Sequence, residues 1–187
     1  MGTPFPRKKI NKNETPKGQT KGDGTPCKKR MEPLPGRLFV DDLGLDDVDK
    51  NVLTAMRFFC TSYTHPPSQA WEVAFDETVR AFGHASGPVI AYSIINLLRT
   101  LKHARTTVFK FTNPTCPCCR EEITDMEMRA IKTIQALRHG DPMAAQTQAM
   151  MLCEGVAGQS LIEACTALVV LLPPPETSKP KKRMRFL

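Results

Sequence analysis

The sequence predicts an all-α protein: a single bundle of about five to six helices, with a short extended arm and a Cys-rich turn before helix 4, flanked by disordered basic tails. Three observations point there. Between residues 46 and 172, apolar residues recur at three- and four-residue spacing in successive runs. Each run is bounded by residues that cap or break helices. Both ends of the chain are polar and cationic, with no such period.

The charge follows the same division. The chain carries 26 Lys and Arg against 19 Asp and Glu, a net charge of +7. Residues 1–30 hold +7 and residues 174–187 hold +4, so the stretch between them is −4. A basic pI therefore describes two ends attached to an acidic body. With hydrophobic residues at 41%, the chain is too apolar to be wholly disordered, and a body of this length forms one core. The boundaries follow: a basic tail over 1–36, a helical domain over 37–173 and a second basic tail over 174–187.

Pro33 and Pro35 close the first tail. Val48, Val52, Met56, Phe59, Cys60 and Tyr63 then form one apolar face, with Asp46 or Asp47 as the cap. The acids around it, from Asp41 to Asp49, complement the positive end of the helix dipole. His65-Pro66-Pro67 breaks this helix, and Ser68 caps a second whose inward residues are Trp71, Phe75, Val79 and Phe82, ending at Gly83. Pro88 opens a third at its first position, from Val89 to about Arg105. That helix is apolar around most of its circumference, so it belongs at the centre of the bundle. Its C-terminal end gathers Arg99, Lys102, His103 and Arg105, a solvated stripe that suits the helix dipole and leaves a phosphate-contacting face open as an alternative.

Thr106 to Thr112 is β-branched and aromatic, which predicts a short strand or extended arm. After the cysteines, Thr124 and Glu127 make a capping box for a fourth helix with Met126, Ala130, Ile131, Ile134 and Leu137 inward, closed at His139-Gly140. Asp141-Pro142 opens a fifth, running to about Glu154. A sixth spans roughly 159–172, with Leu161, Cys165, Leu168 and Leu172 inward, and Pro173 stops it.

The stretch Asn113-Pro114-Thr115-Cys116-Pro117-Cys118-Cys119-Arg120 is where chemistry is expected. Cys116 and Cys119 form C-x-x-C, a spacing that aims two thiolates at one zinc ion. A structural zinc takes four ligands, and no second pair follows within roughly 12 to 20 residues. Cys60 and Cys165 lie on apolar stripes and Cys27 in the tail, so Cys118, Cys153, His103 and His139 are the available partners. A homodimer offering Cys116 and Cys119 twice would also complete the set. Thiol-redox chemistry is the alternative use of the turn, and a turn that merely contains three cysteines is the plainest one.

The cationic clusters Lys8-Lys9, Lys28-Lys29-Arg30 and Lys181-Lys182-Arg183 with Arg185 have almost no aromatics among them. They are expected to contact phosphates without reading bases. The C-terminal cluster also resembles a nuclear localisation signal. No phosphate loop, nucleophile elbow or zinc-protease motif is present, and neither a signal peptide nor a membrane-spanning run is found. The expectation is a non-enzymatic, intracellular regulatory or assembly factor, cytoplasmic, or nuclear in a eukaryotic host. It would bind nucleic acid or a ribonucleoprotein through its tails and zinc through its turn. A dimeric protein-protein adaptor with solubilising tails is the second expectation, with Met126, Met150 and Met151 as core or partner surface.

Overall fold

The computed structural model describes residues 38–156 and 158–175. The cationic clusters expected to meet phosphates, Lys8 to Arg30 and Lys181 to Arg185, lie outside the described residues, as does Cys27. Within them are five helices: α1 (Asp47–Thr64), α2 (Ala70–Ala104), α3 (Asp125–Arg138), α4 (Pro142–Leu152) and α5 (Gln159–Val169). A two-residue pair, β1 (Leu38–Phe39) antiparallel to β2 (Glu122–Ile123), ties the start of the body to the stretch before α3.

Local sequence dictates most of the helix starts. The Asp46 carboxylate accepts from the Asp49 N–H at 2.8 Å. Thr124 Oγ1 accepts from the Glu127 N–H while Glu127 Oε2 accepts from the Thr124 N–H, a complete capping box. Asp141 caps α4 through the Ala144 N–H, with Pro142 at its first position. Gly140, at φ +73°, ends α3 in the left-handed conformation that glycine adopts without strain.

The helices expected as two, 68–83 and 88–105, are two helical halves of α2 that meet at Gly83, the expected end of the first. Gly83 has φ +81° and ψ 166°, outside helical space, and the helix resumes at once, so Pro88 lies inside α2 rather than at a first position. The halves fold against each other there. A Cβ on Gly87 would lie 2.6 Å from the Cα of Val79, so only glycine permits this approach.

The register of the first half also differs from expectation. Ala70, Ala74 and Thr78 are buried, while Trp71 is 48% exposed and Phe75 half-buried. Small side chains turn inward, Thr78 at the close approach of Gly87, while Phe75 meets Phe59 and Trp71 in edge-to-face contacts.

α1 packs chiefly on α2 and α3 on α4, with α5 bridging α2 and α3. Leu53, Met56, Ile90, Ile94, Leu97, Ile131, Ile134, Leu161 and Leu168 fill the space between them. Burying each such side chain stabilises the fold by about 1.5–3 kcal/mol. Leu161, Cys165, Leu168 and Leu172 are all inward, as their spacing predicts. At the far end, Arg138 reaches Asp46 at 2.9 Å, Asp49 at 2.5 Å and the Pro173 carbonyl at 3.1 Å. One guanidinium therefore joins the start of α1, the end of α3 and the exit from α5. Among the described residues, no helix is long and apolar enough to cross a membrane.

Candidate functional site

The arm from Thr106 to Thr112 forms no strand. Side chains take the backbone groups that a ladder would have used. Glu154, at the end of α4, accepts from the N–H groups of Thr106 and Thr107, each at 3.1 Å, and from both hydroxyls. Glu127 Oε1 accepts from the Thr112 N–H at 3.2 Å, and the Lys110 carbonyl accepts from Thr124 Oγ1 at 2.8 Å. Arg105 completes the anchor, pairing with Glu154 at 3.1 Å and donating to the Leu152 carbonyl. The hydrogen bonds of Thr106 and Thr107 hold the Glu154 carboxyl down to about 2.

The Cys turn is clamped from behind by Arg57 of α1. Its Nε meets Glu127 Oε1 at 2.7 Å, Nη1 donates to the Arg120 carbonyl at 2.7 Å and Nη2 to the Glu122 carbonyl at 2.6 Å. Arg57 is 4% exposed and Glu127 1%. Both charges are thus buried, paired and hydrogen-bonded on their remaining atoms, which is the condition under which such a pair is tolerated. In front, Asn113 Oδ1 accepts from the N–H and hydroxyl of Thr115 at 2.9 and 2.8 Å. The Arg120 N–H donates to the Cys116 carbonyl at 3.0 Å. The turn is therefore a fixed platform, and Cys116, Cys118 and Cys119 are all partly exposed on it.

The other cysteines are placed differently. Cys153 is fully buried where α4 ends, and burial pushes its thiol up, against the opposing charge of Arg105. Burial pushes Cys60 and Cys165 up to about 12, with Cys153 adding to the shift of Cys165. Among the described residues, no three His, Cys, Asp or Glu side chains gather as a group that could hold a metal ion. The structure thus brings Cys116, Cys118 and Cys119 onto one turn and leaves Cys153 in the core beside Cys165. His139 is exposed at the end of α3, and His103 is exposed near the end of α2.

The sequence pattern marks neither Arg57 nor Glu154 as a site residue, and it marks Glu127 only as a cap. A guanidinium among the apolar residues of α1 was the signal available for Arg57, since a buried Arg requires a buried partner. Glu154 had no comparable signal, because its partners, Arg105 and the amides and hydroxyls of Thr106 and Thr107, are brought near only by the fold.

These elements define a small helical protein that presents a rigidly backed Cys turn. Compared with protein-family models, curated proteins and solved structures, the chain matches none.

Proposed function

We propose that this protein is a non-enzymatic regulatory or assembly factor that binds nucleic acid or a ribonucleoprotein through its basic ends, with zinc held at the Cys116/Cys119 turn. The observation that carries the reading is the segregation of charge. The body from 38 to 175 holds eleven Lys and Arg against fifteen Asp and Glu, while the cationic clusters stand outside it. Most of the body's cations are also neutralised in place: seven of the eleven are in ion pairs. A polyanion is therefore met by the ends.

The turn supports zinc through its exposure and its rigid backing, which hold two cysteines at knuckle spacing on the surface. Two ligands per chain call for two chains, so the expected stoichiometry is one zinc per dimer. The test is binding to a single-stranded and a duplex oligonucleotide across a salt series, with the full chain and with residues 1–30 and 176–187 removed. Salt-sensitive binding that disappears with the ends supports the reading, and binding that survives their removal refutes it. Zinc content and native mass, measured with and without Cys116→Ser, test the metal.

The second reading, a dimeric adaptor, is favoured by one surface. α4 exposes Met143, Met150 and Met151, flexible apolar side chains suited to a protein partner.

A further inference from the structure

We propose that the groove between the C-terminal ends of α1 and α2 and the arm 105–111 binds an anionic amphiphile, a carboxylate-type head on an aliphatic or aromatic body. The cavity measures about 640 Å³, within the roughly 300–1,000 Å³ of small-molecule sites. Its floor is apolar, made by Leu98, Leu101, Phe109 and Phe111. Beside it, Val108 is 78% exposed and Tyr63 57%, apolar surface that a ligand body would cover.

The rim supplies the charge. Among the described residues, Arg99, Lys102 and Lys110 are the Lys and Arg side chains with neither an ion pair nor a side-chain hydrogen bond, and Arg99 and Lys102 both line this groove, together with His103. Arg105, also in the lining, is already paired with Glu154. No Asp or Glu lines the cavity. Uncompensated cations at one edge of an apolar trough match a ligand with one charged end and one apolar end. The basic ends of this chain are repelled by the same rim, so they are not its occupants. A nucleic-acid strand presents its charges at regular intervals and calls for a longer cationic track than this rim provides.

The experiment uses the full chain and 1-anilinonaphthalene-8-sulfonate as a fluorescent probe. Competitors are dodecanoate, dodecyltrimethylammonium and a single-stranded oligonucleotide. One probe site per chain is expected, displaced by dodecanoate, with octanoate weaker than dodecanoate because less chain is buried. Arg99→Gln with Lys102→Gln weakens dodecanoate binding about tenfold. Val108→Asp, at an exposed position, weakens it comparably by setting a carboxylate against the apolar body of the ligand. Both variants keep the parent unfolding midpoint. The proposal is overturned if dodecyltrimethylammonium competes as well as dodecanoate, if the variants bind dodecanoate like the parent, or if the oligonucleotide displaces the probe and dodecanoate does not.

Discussion

Arg57 and Glu127 stand seventy positions apart in sequence and meet at 2.7 Å, where they hold three segments at once. Arg57 grips the Cys turn through the carbonyls of Arg120 and Glu122. Glu127 grips the arm at Thr112 and starts α3 at Thr124. Neither charge has water to fall back on, so each depends on the other.

Removing one partner strands the other. Arg57→Met is expected to cost about 3–5 kcal/mol, because the Glu127 charge and two carbonyls lose their donors. Adding Glu127→Gln to it costs less than the sum of the two single changes. Denaturant unfolding of the four proteins measures this, and strict additivity would contradict the coupling. Hydrogen exchange over 116–123 rises in the single variant.

The fold of α2 on itself makes two glycines differ. Gly87→Ala places a methyl 2.6 Å from the Val79 backbone, so the halves must separate, at about 1–3 kcal/mol. Gly83→Ala meets open space, and its cost comes from φ +81° with ψ 166° alone, about 1–3 kcal/mol. D-Ala at position 83, introduced by chemical ligation, relieves the second strain. It does nothing for Gly87→Ala.

Acid is expected to loosen the arm. The Glu154 carboxyl titrates near 2 in the folded protein against an ordinary value of 4.5. A depressed carboxylate contributes its stability above the unfolded value and loses it as pH falls through the folded one. The Thr106 and Thr107 amides are therefore expected to lose protection from hydrogen exchange between about pH 4.5 and pH 2. Glu154→Gln produces the loosened arm at neutral pH. Protection that persists unchanged to pH 2 would contradict the assignment.

Thiol reactivity should divide by location. Cys60 and Cys165, pushed up to about 12, and the buried Cys153 remain unmodified by iodoacetamide at pH 8 until the protein unfolds. Peptide mapping by mass spectrometry, with and without denaturant, reads this directly.

Trp71 reports the register of α2. At 48% exposed it should emit at long wavelength and be quenched freely by acrylamide. A blue-shifted, protected emission would return it to the core.

The helix boundaries were legible because they are local chemistry: Asp46, the Thr124/Glu127 pair and Asp141-Pro142 cap the helices their spacing predicts. The stripe of α5 was legible for the same reason. The register of α2 was not, since Trp71 and Phe75 outweigh Ala70, Ala74 and Thr78 in any hydrophobic period, whereas close backbone approach selects the small residues. The pairing of Leu38 and Phe39 with Glu122 and Ile123 is too short to leave a pattern. Of the candidate site, the Cys turn could be located from spacing. What fixes it, Arg57 and Glu127, acts through contacts that spacing does not encode.

The path of the chain around α3 has a further consequence. Leu38 pairs with Ile123 at the start of that helix, and Pro173 meets Arg138 at its end. Leu38 and Pro173 are therefore tied to opposite ends of a fourteen-residue helix, about 20 Å long. On the proposed reading, in which both ends meet one polyanion, a partner longer than that helix would be engaged at two places by one molecule, and the second contact would be intramolecular. Avidity on that reading would depend on the length of chain between each anchor and its cationic cluster, so lengthening or shortening either stretch would tune retention with no contact added or removed.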